Sequence, residues 1–331
     1  MGFCRRRGFG EGDRGFCAFA FFRIAVRDGS GMVRRGVSEL GAIGYAVAGF
    51  TFWVLADSSI KLVGQSGLPA YEMVAFLGLG MAVFLGAWMA VRGQLQRLRP
   101  HRVELQLARA CLDMANNVCV VIALRHLTLT LFYILVFTAP MVIALLSAVV
   151  LGEGLAWRRA MAIGAGFGGV VLAVHPWSAQ AGWDWTGVGA CAVCVACFST
   201  NMVWSRVLTR TEQPESLAFF SGLVTAAVGL GWMCVWGAAA VTPQLAVGLA
   251  AMGLFCALGT LCFYVAVKHT TAANVSQYHY TQLVTGTAVS YAVWRVLPDG
   301  YGMAGAALIL ASGVYIAMTT RETTTALTEG V

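Results

Sequence analysis

Charged residues are scarce in this sequence. They make up 11% of 331 residues, whereas a soluble domain carries about 25%. The mean hydropathy of +0.74 excludes an ordinary soluble protein. The sequence also lacks an H-E-x-x-H motif, an acidic cluster in a loop, and a nucleophile set by a histidine and a carboxylate. We therefore expect an integral membrane protein that is not an enzyme, with no catalytic residues, no metal and no cofactor.

Long apolar runs fill most of the chain. A hydrocarbon layer about 30 Å thick needs about 20 apolar residues per helix, and we count ten such runs, joined by connections too short to hold a soluble domain. The sequence predicts an all-α integral membrane protein with ten transmembrane helices in the lipid bilayer. The predicted spans are residues 41–60, 70–91, 105–124, 129–151, 159–174, 186–208, 217–239, 245–267, 273–297 and 301–319.

Positive charge is distributed unevenly between the ends of these runs. A net charge of +7 would suit a nucleic-acid partner, but membrane orientation explains it better, because cytoplasmic loops carry an excess of lysine and arginine. With the N-terminus inside, twelve basic residues lie near cytoplasmic ends and three near outer ends, namely Lys61, Arg125 and Arg295. We expect a multi-pass protein of the inner (cell) membrane with both termini in the cytoplasm and no nucleic-acid partner.

The first 38 residues contain eight arginines mixed with glycine and phenylalanine. Two interpretations fit residues 1–38: a basic cytoplasmic tail that lies on anionic lipid, or an extension that precedes a true start at Met32. The remaining boundaries follow the spans. We expect a first repeat at 39–176, a second repeat at 184–320, and a disordered tail at 321–331, which is rich in threonine.

An internal repeat relates the two halves of the chain. The third run ends in ALRHLT (123–128) and the eighth in AVKHTT (266–271), and a shift of 143 residues aligns His126 with His269. Each copy holds five predicted helices, and because five is odd, the second copy enters the bilayer upside down. Inverted repeats are typical of secondary transporters, whose substrate site lies near the midplane where the copies meet.

Two long stretches resemble a known family. Ala139-Pro140 through Leu151-Gly152-Glu153, followed by GAGFGGVVLAV (164–174), is similar to the EamA module of the drug/metabolite transporter superfamily, in which a proline-bearing helix ends in L-G-E and a glycine-rich helix follows. SQYHYTQLVTGTAVSYAVWRVLPD (276–299) with GAALILASGVYI (305–316) looks like the second module, most like the branch with S-adenosylmethionine uptake carriers. The resemblance implies a carrier of small metabolites.

The glycines of GAGFGG at 164–169 also match the pattern G-x-G-x-x-G. A dinucleotide site would need a preceding strand and a soluble unit around it. Here the glycines run into an apolar helix, so we interpret them as positions of close helix packing.

Ionisable side chains inside a span mark candidate sites, since each costs about 2.5 to 3.5 kcal/mol at mid-membrane. In the third span Arg109, Asp113 and Asn117 recur at every fourth position and share one helix face. One interpretation makes this face the polar wall of a substrate cavity, where Arg109 and Asp113 neutralise each other or bind a charged substrate. The other places Arg109 near the cytoplasmic surface, where its long side chain reaches water.

Other spans contribute aromatic and amide side chains to the candidate site. We include Trp53 of the first span, Tyr133 of the fourth, Asn201 of the sixth and Tyr264 of the eighth. The aromatic stripe that contains Trp53 serves either helix packing or the binding of a flat cationic or adenine-like substrate.

The run QYHYTQ (277–282) places six polar or half-polar residues inside an apolar span. Six consecutive residues go almost twice round a helix, so they cannot all face one cavity. We expect Gln277 and Tyr278, with Gln282 beside them, to line the cavity, and the others to hydrogen-bond to neighbouring helices. His279 fits two roles: a proton-coupling group, since histidine titrates near neutral pH, or an interhelical hydrogen-bond partner.

Two functions fit these features. The first is a secondary carrier that moves a small polar or cationic metabolite, an amino acid or an S-adenosylmethionine-like compound, by alternating access. A gradient would drive it, because the sequence holds no nucleotide-binding loop. The second is a non-transporting membrane partner or scaffold, which predicts polar faces buried against each other without a cavity. Direction, coupling ion and oligomeric state, a homodimer included, stay open.

Overall fold

The computed structural model describes residues 39–139, 141–143, 145–146, 157–174, 184–239, 241–269, 275, 278–279 and 281–329. Within these ranges the chain forms α-helices and one short 3-10 helix, Leu95–Leu98, and no strand. The predicted tail at 1–38 and parts of the fourth and ninth predicted spans lie outside the described residues. The α-helices are α1 Glu39–Gly64, α2 Ala70–Val91, α3 Val103–His126, α4 Leu129–Val136, α5 Trp157–Val174, α6 Trp185–Leu208, α7 Pro214–Trp236, α8 Pro243–His269, α9 Thr281–Trp294 and α10 Gly300–Glu329.

Six of the described helices are long and apolar enough to cross a membrane: α1, α2, α3, α6, α7 and α8. Shorter apolar helical segments lie at Leu129–Ile143, Ala160–Ala173 and Gly300–Tyr315. The chain is therefore a multi-pass, all-helical membrane protein over the residues described. The count of ten spans stays a prediction. Helix α10 continues to Glu329, into the threonine-rich segment for which we expected disorder.

The helices begin and end at residues suited to those positions. The side chain of Asp184 accepts hydrogen bonds from the backbone N–H groups of Thr186 and Gly187 at the start of α6, which satisfies donors that have no partner within the helix. Helix α7 begins at Pro214 and ends before Gly237, which has a φ of 85°. Glycine adopts this left-handed conformation without steric cost.

In the described part of the chain, each of the five helices of the first half packs on a helix of the second half. Helix α1 packs on α8, α3 on α6, α2 on α7, α4 on α9 and α5 on α10. If the halves are exchanged, so that α1 takes the place of α6 and α3 that of α8, the α1–α8 pair becomes the α6–α3 pair. The other three pairs map onto themselves. A two-fold axis between the halves would generate this arrangement.

Different polar contacts link the helices at the two ends of the bundle. Where α2 ends and α7 begins, Arg97 forms an ion pair with Glu215 at an N–O distance of 2.9 Å. At the opposite end, where α1 and α3 finish, Lys61 donates to the carbonyl oxygen of Leu127 at 2.6 Å. There His126 also pairs with Asp184, and this hydrogen bond holds the pKa of Asp184 below its usual value.

Glycines allow helices of opposite halves to touch backbone to backbone. A Cβ atom at Gly78 of α2 would lie 2.2 Å from the backbone nitrogen of Ala226 on α7. A Cβ atom at Gly169 of α5 would lie 2.9 Å from the carbonyl oxygen of Gly305 on α10. Close helix packing by the GAGFGG run is therefore confirmed at Gly169, whereas Gly168 faces open space.

The adjacent glycines of α5 provide a matched pair of variants. We expect Gly169→Ala to lower the melting temperature of the purified protein in detergent, because overpacking of this kind costs about 1 to 3 kcal/mol. Gly168→Ala should leave the melting temperature unchanged or raise it, because alanine favours a helix over glycine by up to about 1 kcal/mol. Equal melting temperatures for the two variants would contradict the α5–α10 contact.

Candidate functional site

A cavity of about 80 Å³ lies between the two halves of the bundle. One water needs about 10 to 15 Å³ of such space, so several waters fit. Helices α1, α2, α3 and α4 line it from the first half, and α6, α8, α9 and the turn before α9 from the second. Its polar lining side chains are Asp57, Asp113, Asn116, Asn117, Tyr133, Asn201, Thr260, Tyr264, His279 and Gln282, with Trp53, Phe132, Phe198 and Phe263 among the aromatic ones.

Asp113 is the most heavily partnered acid on the cavity wall. Asn201 of α6 donates to its Oδ1 atom at 2.9 Å, and Arg109, one turn earlier on α3, lies 3.8 Å from its Oδ2 atom. The Asp113 side chain keeps 13% of its surface exposed. Arg109 thus compensates its charge and Asn201 satisfies one of its oxygens, while part of the carboxylate still faces the cavity.

Arg109 lies behind this wall, fully buried. It donates to the carbonyl oxygen of Leu217 at 2.8 Å, to the Ser221 hydroxyl at 2.9 Å, and to the Tyr264 hydroxyl. The interpretation that Arg109 reaches surface water is therefore wrong, because donors on α3 meet acceptors on α7 and α8 instead. Arg109 is not among the residues that line the cavity, so it positions Asp113 and Tyr264.

Asp57 of α1 is a second acid on the cavity wall, which the sequence analysis did not single out. The hydroxyl of Tyr133 on α4 donates to its Oδ2 atom at 2.8 Å. The signal was present in the sequence: Asp57 lies inside the first predicted span, one helical turn after Trp53. An ionisable residue at such a depth is a candidate site by default.

Aromatic rings form the part of the wall around Trp53. Its Nε1 atom donates to Thr260 of α8 at 3.2 Å, and its ring centroid lies 5.1 Å from that of Phe263 and 6.0 Å from that of Phe198. The Trp53 side chain thus both packs between helices and borders the cavity. Flat or cationic groups bind well against such walls.

Amide groups of α3 connect the cavity to other helices. Asn117 donates to Thr225 of α7 at 3.3 Å, and Asn116 accepts a hydrogen bond from the Cys194 thiol of α6 at 3.2 Å. Asn116 is a further cavity residue that the sequence analysis did not single out. Among the described residues, no three His, Cys, Asp or Glu side chains come together as metal ligands.

The QYHYTQ run does not form one continuous helix. Helix α9 begins at Thr281, and His279 lies in a turn before it, so helical spacing does not decide which side chains face the cavity. His279 and Gln282 line it, whereas Tyr278, expected on the wall, packs against the apolar core beside it. Gln277 lies outside the described residues.

His279 is buried among three phenylalanine rings. Its ring centroid lies 4.8 Å from that of Phe50, 5.2 Å from that of Phe198 and 5.6 Å from that of Phe137. Gln282 donates to the carbonyl oxygen of Phe50 at 3.2 Å. These contacts tie the start of α9 to α1.

Equivalent positions of the two halves carry different chemistry at the cavity. A shift of 143 residues takes Asp113 of α3 to Cys256 of α8. Both residues line the cavity, but only Asp113 carries a carboxyl group. A bound molecule would therefore meet different chemistry at equivalent positions of α3 and α8.

Comparisons with known proteins identify the fold. The sequence profile described as the EamA-like transporter family matches residues 40–175 and again 185–318. A solved crystal structure superposes on the chain with a TM-score of 0.62 at 19% sequence identity, covering 85% of this chain and 96% of that one. At this identity the likeness shows the fold alone.

Curated relatives are named transporters of different small molecules. A riboflavin transporter of Rhizobium johnstonii is 24% identical over 84% of this chain and 90% of that protein. A pseudopaline exporter of Pseudomonas aeruginosa is 24% identical over 82% and 94%, and an S-adenosylmethionine uptake transporter of Rickettsia bellii is 22% identical over 78% and 87%.

The Arg109–Asp113 pair can be tested by a double-mutant cycle on protein stability. We expect Arg109→Met to destabilise the purified protein strongly, because removing one partner of a buried ion pair costs about 3 to 5 kcal/mol. Asp113→Asn added to Arg109→Met should recover part of the melting temperature, because no uncompensated carboxylate then stays buried. A double variant less stable than Arg109→Met alone would contradict the pairing.

Proposed function

Because this chain belongs to the EamA-like transporter family, we propose that it is a secondary carrier that moves a small polar or cationic metabolite by alternating access. The observation that carries the proposal is a polar cavity enclosed by helices of both halves. A site between two repeats can be opened to either side when one repeat tilts against the other. The glycine contacts between α2 and α7 and between α5 and α10 would let the halves slide without large side chains in the way.

The proposal includes ten spans arranged as two inverted five-helix repeats in the inner membrane, with both termini in the cytoplasm. The two-fold pattern of helix pairs supports the repeats. Charge supports the orientation: Arg97 and Arg102 lie at the α2–α3 end, which carries more basic residues than the end with Lys61 and Arg125.

Reporter fusions at both termini test this topology. We expect both termini to be located in the cytoplasm, and an outer location of either terminus excludes the topology.

The walls of the cavity indicate the class of substrate. Asp57 and Asp113 favour a positively charged group, and Asn116, Asn117 and Asn201 offer donors and acceptors to a polar one. Trp53 and the phenylalanines around it suit a flat ring. An S-adenosylmethionine-like compound or an amino acid fits this combination. The names of the relatives differ in substrate and direction, so they support transport without choosing between import and export.

A non-transporting partner is the weaker alternative. It requires that the polar faces of the helices satisfy each other with no space between them. Instead, Asp113 keeps part of its surface exposed beside a cavity with room for several waters.

The proposal is tested by uptake into vesicles that contain the purified protein. The panel comprises amino acids, S-adenosylmethionine, riboflavin, nucleosides and organic cations. We expect at least one compound to be transported, and Asp113→Asn to slow its transport by about 10- to 100-fold, because a hydrogen bond to a charged group contributes about 1.5 to 3 kcal/mol. Tyr264→Ala should slow transport similarly, because this variant lacks the ring that forms part of the cavity wall and the hydroxyl that accepts a hydrogen bond from Arg109.

Val193→Ala is the matched control for these variants. Val193 is a half-exposed side chain of α6 that does not line the cavity, so this variant should transport at the parental rate. Failure of every panel compound, or parental rates in both Asp113→Asn and Tyr264→Ala, would contradict the proposed function and site.

A further inference from the structure

The cavity contains two aspartates in different electrostatic situations. Asp113 has Arg109 beside one carboxylate oxygen and Asn201 on the other. Asp57 has one described partner, the neutral hydroxyl of Tyr133 on its Oδ2 atom. Its Oδ1 atom accepts no hydrogen bond from the described residues, and its side chain borders the cavity.

No described cationic side chain forms an ion pair with Asp57. Lys61 lies one turn further along α1, but its amino group donates to the carbonyl oxygens of Leu124 and Leu127 at 3.2 and 2.6 Å. The Lys61 charge is therefore directed at the carbonyl oxygens of the C-terminal end of α3, not at Asp57. Arg109 is held by α7 and α8 and pairs with Asp113 instead.

An ionised carboxylate without a partner is costly at this depth, because the surrounding protein and lipid do not replace its hydration. A phenol hydroxyl satisfies one lone pair but supplies no compensating charge. The Asp57 carboxyl must therefore take up a proton or a cation whenever the cavity is closed.

We propose that Asp57 is a proton-binding site of the cavity, which holds a proton while the cavity is empty and releases it when a cationic group enters. The O–H bond of the carboxyl breaks, and the proton leaves to the solution that the cavity then faces. The carboxylate that remains pairs with the incoming cation. The charge of the cavity is the same in both states, so proton and cation exclude each other one for one.

The surroundings favour Asp57 over His279 for this role. Three phenylalanine rings surround His279, and rings of this kind provide no anion for a protonated imidazole. The titratable side chains that border the same cavity are Tyr133 on α4, Asp113 on α3, Cys194 on α6, Cys256 and Tyr264 on α8, and His279 before α9. Only Asp113 among them carries a carboxyl group, and Arg109 already compensates its charge.

Infrared difference spectroscopy tests proton binding without any substrate. The full-length protein is reconstituted in lipid, and spectra at neutral and alkaline pH are subtracted. A protonated carboxyl has a C=O stretching band that a carboxylate lacks. We expect this band at neutral pH in the parent protein, its loss in Asp57→Asn, and its retention in Asp113→Asn.

Asp57→Glu keeps a carboxyl at this position and should restore the band, which separates loss of the proton site from misfolding. Each variant is checked by gel filtration in detergent before reconstitution. A parent spectrum without the band, or an Asp57→Asn spectrum identical to that of the parent, overturns the proposal.

Coupling to transport rests on the proposed function and has its own readout. For a cation that the vesicle panel shows to be transported, an imposed pH gradient should drive accumulation by the parent protein but not by Asp57→Asn. Asp57→Glu, which keeps a carboxyl group, should still accumulate the compound, whereas Asp57→Asn should also exchange labelled for unlabelled compound more slowly than the parent, because it lacks the carboxylate that pairs with the cation. Gradient-driven accumulation by Asp57→Asn would overturn the coupling. If no panel compound moves, the carrier function fails, while the infrared spectra still decide whether Asp57 binds a proton.

Discussion

Inside the hydrocarbon layer, polar side chains must find their partners within the protein, and this constraint organises the whole bundle. Arg109 shows it most clearly, since one buried guanidinium joins α3 to the backbone of α7 at Leu217 and to Tyr264 on α8. Asn201 adds α6 through Asp113. Polar side chains whose hydrogen-bond partners lie on other helices hold those helices together. Polar side chains with fewer partners border a cavity with room for water.

The fold combines a nearly symmetric backbone with asymmetric chemistry. The helix pairs repeat under a two-fold exchange of the halves, and glycines keep their backbones close. The cavity that lies between them is not symmetric, because Asp113 of α3 is a cavity residue at the position that Cys256 occupies on α8. In a carrier of the proposed kind, the symmetry would supply two related openings for alternating access, and the asymmetry would give a bound molecule one preferred orientation.

Much of this could be predicted from the sequence, because spacing along a helix is a local property. Six residues predicted to bind substrate border one cavity: Trp53, Asp113, Asn117, Tyr133, Asn201 and Tyr264. That they bind substrate stays a prediction. The partners of Arg109 could not be predicted, since they include a backbone carbonyl on a distant helix. The chain turns at His279, so helical spacing did not predict that Tyr278 would lie outside the cavity lining. Asp57 was missed although its position within an apolar span was visible.

The central claim is that the two halves enclose a polar cavity that water reaches. It is tested most directly by cysteine labelling in a variant whose ten cysteines are replaced, with a single cysteine introduced at Asn116. A water-soluble, membrane-impermeant thiol reagent should label this position, and a transported compound should slow the labelling. A cysteine at Val193, which does not border the cavity, should stay unlabelled. If the cysteine at position 116 reacts from neither side of the membrane, or no faster than the one at 193, the account is contradicted.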